Sequence, residues 1–496
     1  MRIFHLTLPL LVFALLPTGI YAAGAIQCSA MTSLNIQDVE ITEVKLVFAE
    51  PEYCSVIGYL KSRIVFEILL PTSWNGKMYF RGNGGFAGAL VDTSSGLGRG
   101  YATISTDTGH QGNGLDATWA LDNRTAEIDY GYRAVHQIVV LGKKIIQAYY
   151  KRTPKFSYFD GCSNGGRQGL MEAQKYPADF DGIVAGAPAL DWTGFMIGAN
   201  WDMQALQATE SSSLIPFEKF QVIGDAVLEE CDTIDELTDG LIDDPRKCHF
   251  KAETLLCQSG DGPDCLTQPQ VAALKKIDAG PRDSSGRPLY PGFLLGEAAS
   301  VFGWAVWLFS NPDFPAVQFS LQDQFFRYMA FKKDNPDFDW RTFDFDKDPQ
   351  RMNLMARILN ATDTNLSRFQ ELGGKLLLWQ GWSDSAIAPT RVIDYYKEVR
   401  KRLGRQNAEN TIRLFMAPGM AHCFGGTGPN EFDYLTALEQ WAEQGVAPES
   451  IEATHYGENG PDRTRPLCPY PKVARYDGSG SINKAANFTC VSPSRK

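Results

Sequence analysis

Phe156-Ser-Tyr-Phe-Asp-Gly-Cys-Ser-Asn-Gly-Gly-Arg167 is the stretch on which the reading of this chain turns. Its first half suits a buried β-strand, its centre is a sharp glycine turn with Ser163 at the apex, and a helix begins directly after. A serine hydroxyl is a poor nucleophile unless a strained turn presents it to a base and a helix N-terminus offers N–H groups to the oxyanion that forms. Gly161 and Gly165 permit the close approach that such an elbow demands.

Downstream, Lys375-Leu-Leu-Leu-Trp-Gln-Gly-Trp-Ser-Asp384 is a second apolar strand, with Asp384 at its C-terminal edge. A third, Thr411-Ile-Arg-Leu-Phe-Met416, runs into Ala-Pro-Gly-Met-Ala-His422-Cys423. Serine, aspartate and histidine in that order, each just beyond a strand, follow the α/β-hydrolase order. Elimination agrees: of 6 histidines, His5 sits at the N-terminus, His110 and His136 precede the serine, and His249 lies among clustered cysteines. Only His422 and His455 follow Asp384, and His455 lacks the strand-then-loop setting. The alternatives are a satisfied loop histidine for His422 and a helix or turn cap for Asp384.

From about residue 60 to 190, strand and helix signals alternate. Arg63–Leu70, Lys77–Phe80, Tyr101–Ser105 and Phe180–Ala187 read as strands, and Tyr130–Tyr150 as one long amphipathic helix. This rhythm predicts a mostly parallel sheet with helices on both faces. It stops near Pro188 and resumes at Lys375. The expected division is therefore a catalytic domain of residues 26–189 and 371–496 with an inserted lid domain, 190–370, over the site. Arg81-Gly-Asn-Gly-Gly-Phe-Ala-Gly88 suits an oxyanion loop: one donor is the N–H of Asn164, the other that of Gly84 or Gly85. A phosphate loop is the competing reading, but no Gly-Lys-Ser/Thr follows.

Residues 1–25 carry an arginine, an apolar core from Ile3 to Leu16, and the small residues Ala22–Ala25, the pattern of a secretory signal peptide. No later stretch offers the roughly 18 apolar residues of a membrane span. A secreted protein is expected, extracellular or periplasmic, where the 10 cysteines can form five bridges. A net charge of −11 argues against nucleic acid and anionic membrane as partners. With 44% hydrophobic residues the chain can bury a large core. Sequons occur at Asn123, Asn360, Asn365 and Asn487. The oligomeric state is not legible. Cys162 precedes the serine and Cys423 follows the histidine, so assembly of the triad brings these two together and predicts a disulfide behind it.

With Cys162-Ser163, Asp384 and His422-Cys423 together, the chain resembles the tannase and feruloyl esterase family, from about Cys28 to Cys490. The resemblance implies an α/β-hydrolase with a lid and the hydrolysis of phenolic or aromatic acid esters, with no catalytic cofactor. It also implies a structural calcium in the lid segment Cys231–Cys248, held by the carboxylates of Asp232, Asp235 and Asp239 and the carbonyls of Leu237 and Leu241. An acidic, solvated loop is the alternative. Many cysteine connectivities are possible; the family pattern favours Cys28–Cys54, Cys231–Cys248, Cys257–Cys265 and Cys468–Cys490. Gln380 and Ile387 stand around Asp384 where some members carry a histidine or an aromatic residue.

Rival readings are a terephthalate-monoester hydrolase, a serine peptidase on the same fold, and a non-catalytic binding protein. The expected partner is a small phenolic ester or a feruloylated or galloylated plant-derived substrate, feruloyl ahead of gallate. Most of the insertion's aromatic residues, Trp192, Phe195, Trp201, Phe302, Trp304, Trp307, Phe309, Phe325 and Phe326, are expected in the lid core, and a few over the cleft.

Overall fold

The structure is a computed structural model, and it describes residues 25–61, 63–207, 213–295, 303–308 and 315–493. The expected signal peptide, but for Ala25, and the lid residues Phe302 and Phe309 lie outside the described residues. The main strands are β1 (Val39–Val47), β2 (Tyr53–Leu60), β3 (Ile64–Pro71), β4 (Lys77–Arg81), β5 (Ala102–Thr106), β6 (Phe156–Cys162), β7 (Gly182–Gly186), β8 (Lys375–Gly381) and β9 (Ile412–Ala417). They form one sheet in the order β1-β2-β3-β5-β4-β6-β7-β8-β9. From β5 to β9 all neighbours are parallel, while β1, β2 and β3 pair antiparallel at one side. This is the mostly parallel α/β-hydrolase sheet that the alternating signals predict.

The central strands read as unbroken apolar runs because both faces are covered. The helices Ala134–Tyr150 and Asn164–Lys175 pack on one face and Tyr434–Gln444 on the other. The crossover between β7 and β8 carries residues 190–370. Among the described residues it holds helices, turns and two isolated bridges, with no strand in the main sheet. Its helix Trp192–Gln207 packs on Gln268–Ala279 and Val317–Tyr328.

Three features depart from the strand-and-helix rhythm. The β1–β2 hairpin extends the sheet where no strand is read from the sequence. Beyond β9, β10 (Glu431–Phe432), β11 (Ile451–Gly457) and β12 (Gly460–Leu467) make a separate small sheet, and β13 (Val473–Tyr476) pairs with β14 (Phe488–Val491). The long helix predicted over Tyr130–Tyr150 begins with a π-helical turn, Asp129–Arg133, before the regular helix at Ala134. Such a turn releases carbonyls from the helical ladder, and those of Tyr130 and Gly131 are taken by the Arg167 guanidinium at 3.2 and 2.8 Å.

All ten cysteines are paired: Cys28–Cys54, Cys162–Cys423, Cys231–Cys248, Cys257–Cys265 and Cys468–Cys490. Among the described residues no helix is long and apolar enough to cross a membrane.

Candidate active site

Ser163 stands between the end of β6 and the helix Asn164–Lys175 with φ 63° and ψ −123°. A non-glycine residue avoids that region unless its surroundings hold it there. Here three backbone bonds do so: Ser163 N–H donates to Gly186 O, and its carbonyl accepts from the N–H groups of Arg167 and Ala189, each at 3.0 Å. Gly161 is required, since a Cβ there would lie 2.6 to 2.8 Å from the Gly165 backbone. As the first residue of the helix, Asn164 presents an N–H with no partner in the helical ladder.

The loop after β4 packs against this elbow through polar side chains. Asn83 N–H donates to Gln168 Oε1 at 3.0 Å, and Asn164 Nδ2 donates to Asn83 O at 3.1 Å. Gly85 sits at φ 51°, and a Cβ there would lie 2.1 Å from Gly114 O, so only glycine fits. Gly84 and Gly85 each border a cavity that Ser163 also lines.

Asp384 follows β8 on a buried loop. Its Oδ1 accepts the N–H groups of Ala386 and Ile387, both at 2.8 Å. Its Oδ2 accepts from His422 Nδ1 and from Gln380 Nε2, also at 2.8 Å each. A carboxylate held by four donors cannot turn, and it holds the imidazole in turn. His422 is buried, and its Nε2 has no hydrogen-bond partner, the state in which that nitrogen can take a proton. The Cys162–Cys423 disulfide, with 5.9 Å between Cα atoms, joins the residue before Ser163 to the residue after His422. The structure thus brings Ser163, Asp384 and His422 to one end of the sheet. His455 is elsewhere, on β11, paired with Asp462 at 2.6 Å.

Two cavities meet at Ser163. One, about 190 Å³, is an apolar slot lined by Trp192, Phe195, Trp307, Val317 and Leu321 of the insertion together with Gly85, Gly114, Leu115 and Ala386. Trp307 also meets the His422 ring edge-on, with centroids 4.9 Å apart. The other, about 890 Å³, is a wide cleft bordered by Arg81, Asp92, Arg99, Glu431, Asp433, Tyr434 and Tyr456. Of the aromatic residues singled out in the sequence, Trp192, Phe195 and Trp307 line the slot, whereas Trp304, Phe325 and Phe326 are buried in the insertion's own core. Trp201 anchors to Lys276 O at 2.8 Å, outside the slot.

The contacts of three polar groups around the site escape the sequence reading. Gln380 bonds Asp384. Gln318, fully buried in the insertion, donates to Ser385 O at 2.9 Å and ties the insertion to the acid loop. Arg167, also fully buried, donates from Nε to Asn164 Oδ1 at 2.8 Å and stacks on Tyr130 and Trp192. The position of Arg167, one helical turn past the nucleophile, was the available signal for the last.

The acidic loop gathers more carboxylates than those predicted. Burial first, then the charges of Asp239 and Asp232, push Asp235 up to about 6. Asp243 is pushed up to about 7 by burial and by Asp235. Asp232 folds back onto Gly240 N–H at 3.1 Å, and Asp239 pairs with Arg465. Hard oxygen donors crowded in this way fit a calcium ion chemically. Asp232, Asp235 and Asp239 do not, however, draw their ligand atoms within 4.8 Å of one another. Leu241 packs onto Gly419 of the histidine-bearing loop.

The model of the family described as tannase and feruloyl esterase matches residues 47–491. An uncharacterized esterase of Xanthomonas campestris pv. campestris is 36% identical, over 90% of this chain and 86% of that one. A mono(2-hydroxyethyl) terephthalate hydrolase of Piscinibacter sakaiensis is 33% identical over the same shares. The crystal structure of feruloyl esterase B from Aspergillus oryzae superposes with a TM-score of 0.85 at 27% identity, covering 94% of this chain and 99% of that one. The chain belongs to the tannase and feruloyl esterase family. It is a carboxylic ester hydrolase.

Proposed function

We propose that the protein is an exported serine esterase that cleaves esters of a phenolic acid, feruloyl-type rather than gallate-specific. The observation that carries this reading is the apolar slot at Ser163. A cavity of about 150 Å³ takes a benzene ring, so about 190 Å³ suits one planar aromatic acyl group. Among the described residues its lining holds no cation, and its polar side-chain groups are Ser163 and the indole N–H donors of Trp192 and Trp307, that of Trp192 without a partner. The free carboxylate of a terephthalate monoester would be buried there without a cation, and three ring hydroxyls would find no acceptor for their protons beyond Ser163, since indoles only donate; both are costly. A ring with one hydroxyl and one methoxyl loses least. The wide polar cleft on the other side of Ser163 takes the alcohol half, in a plant-derived substrate a sugar.

In this mechanism Ser163 Oγ attacks the ester carbonyl and His422 Nε2 takes its proton. Asp384 holds the imidazole tautomer and steadies the cation. N–H groups of Asn164 and of Gly84 or Gly85 meet the oxyanion. His422 then protonates the departing alcohol, and water repeats the sequence on the acyl-enzyme. Calcium, held by Asp232, Asp235 and Asp239 with the carbonyls of Leu237 and Leu241, is proposed as a structural cation that braces the insertion and takes no part in the chemistry. Export is supported by five disulfides and by the apolar leader.

The test is kcat/KM on a panel of methyl ferulate, coumarate, caffeate and gallate, a terephthalate monoester, butyrate esters and a peptide amide. Ferulate or coumarate should lead. If butyrate or the amide beats every aromatic acyl ester, the phenolic assignment is wrong.

A further inference from the structure

On the sheet face away from the wide cleft, two helices and the turn after the second bring together three side chains that the esterase mechanism does not use. His136 lies on Ala134–Tyr150, Glu172 on Asn164–Lys175, and Asp179 in the turn that follows. One ligand atom from each, a ring nitrogen and two carboxylate oxygens, lies within 4.8 Å of the other two. His136 Nδ1 and Asp179 Oδ2 are 2.6 Å apart. Glu172 is 1% exposed, and neither of its carboxylate oxygens has a hydrogen-bond partner. A buried carboxylate without a donor is strongly unfavourable, and something must neutralise it. Lys143 offsets this only through space: its ammonium donates to the Asp179 carbonyl at 2.5 Å and to neither Glu172 oxygen, and burial still pushes Glu172 well above the usual carboxylate range. Either Glu172 carries a proton shared with Asp179, or a cation sits among the three groups.

We infer that His136, Glu172 and Asp179 form a binding site for a zinc-class divalent cation. One imidazole nitrogen with two carboxylate oxygens is a donor set for such a cation rather than for calcium or magnesium, which take oxygens alone. Donors on a tetrahedral zinc stand about 3.3 Å apart at bond lengths of about 2.0–2.1 Å. His136 and Asp179 therefore part by about 0.7 Å to admit the ion. The His136 side chain is 31% exposed and leaves a path from solvent. The Tyr176 ring lies flat against it, centroids 3.8 Å apart, and orients the imidazole. Glu172 is nine residues past Ser163, about 13 Å along the helix at 1.5 Å per residue. The cation is thus structural. It clips the C-terminal end of the nucleophile's helix to the neighbouring helix and satisfies the buried Glu172.

The experiment uses the full mature protein, free of any histidine tag and kept in calcium so that the acidic loop is not the variable. Zinc binding is measured by equilibrium dialysis with metal analysis. Cobalt loading is followed by its visible d–d absorption. Wild type should bind about one zinc per chain and melt several degrees higher with zinc present. Glu172→Gln and His136→Asn should each weaken zinc binding at least tenfold and abolish both the melting shift and the cobalt band. His136 is partly exposed, so its variant should fold even if the buried one does not. Equal zinc binding by wild type and His136→Asn would overturn the assignment, as would no binding by wild type. A Glu172→Gln protein that melts at or above the temperature of zinc-saturated wild type would instead identify Glu172 as a protonated acid.

Discussion

Replacing Asp384 by Asn leaves the side chain's shape intact and changes only which atoms can accept. In the structure every approach to this carboxylate is a donor: Ala386 and Ile387 N–H on one oxygen, His422 Nδ1 and Gln380 Nε2 on the other, all at 2.8 Å. An amide has one oxygen to offer. If that oxygen faced His422, the NH₂ would point at two backbone N–H groups, each left unsatisfied at about 1–3 kcal/mol. The favoured orientation keeps the oxygen on the backbone and turns the NH₂ toward His422. The imidazole then accepts at Nδ1 and carries its proton on Nε2, the nitrogen that must receive the serine proton. Loss of the productive tautomer costs on the order of 10⁴-fold in kcat, about 5.5 kcal/mol of barrier. KM for methyl ferulate should change less than threefold, because Asp384 touches neither cavity. The assay is steady-state hydrolysis with the fold checked by circular dichroism. An Asp384→Asn enzyme that folds and keeps kcat within tenfold of wild type would refute the reasoning.

The Cys162–Cys423 bridge closes a separation of 261 residues, and the chain-entropy account assigns such a loop about 5.5 kcal/mol. With an unfolding entropy of about 1 kcal/mol/K for a chain of this length, Cys162→Ala/Cys423→Ala should melt about 5 °C lower and lose kcat as His422 drifts from Ser163; a shift under 1 °C would contradict it. Chelating calcium should lower the melting temperature by about 3 °C if the ion was present at about 100 times its dissociation constant, and Asp235→Asn should abolish that response. Asp107 accepts Val65 and Gly109 N–H on one oxygen and leaves the other buried without a partner, and burial pushes it up to about 7. The native state therefore holds a proton that the unfolded chain releases near pH 4, so this group costs stability progressively as pH rises from about 4 to about 7. Asp107→Asn should gain on wild type across that window in thermal melts and hold a constant advantage above it; a pH-independent difference would remove the claim.

The grouping of Ser163, Asp384 and His422 at one end of the sheet was legible because each of its signals is local. An apolar run that ends in glycine and small polar residues specifies a strand and the turn after it within about ten residues, and Ser163, Asp384 and His422 each sit at such an end. The Cys162–Cys423 pairing followed from the assembly of those ends. What surrounds them was not legible, because a buried polar group chooses its partners by packing rather than by sequence distance. Arg167 reaches Leu359 O, 192 positions away, and Gln318 reaches Ser385 O across 67. Gln380, read from the sequence only as a departure from the family's pattern, is a donor to the acid. Sorting the aromatic residues between the slot and the insertion's core required the tertiary structure as well: all are apolar in sequence, and only the crossing of the insertion over the end of the sheet puts Trp192, Phe195 and Trp307 against Ser163.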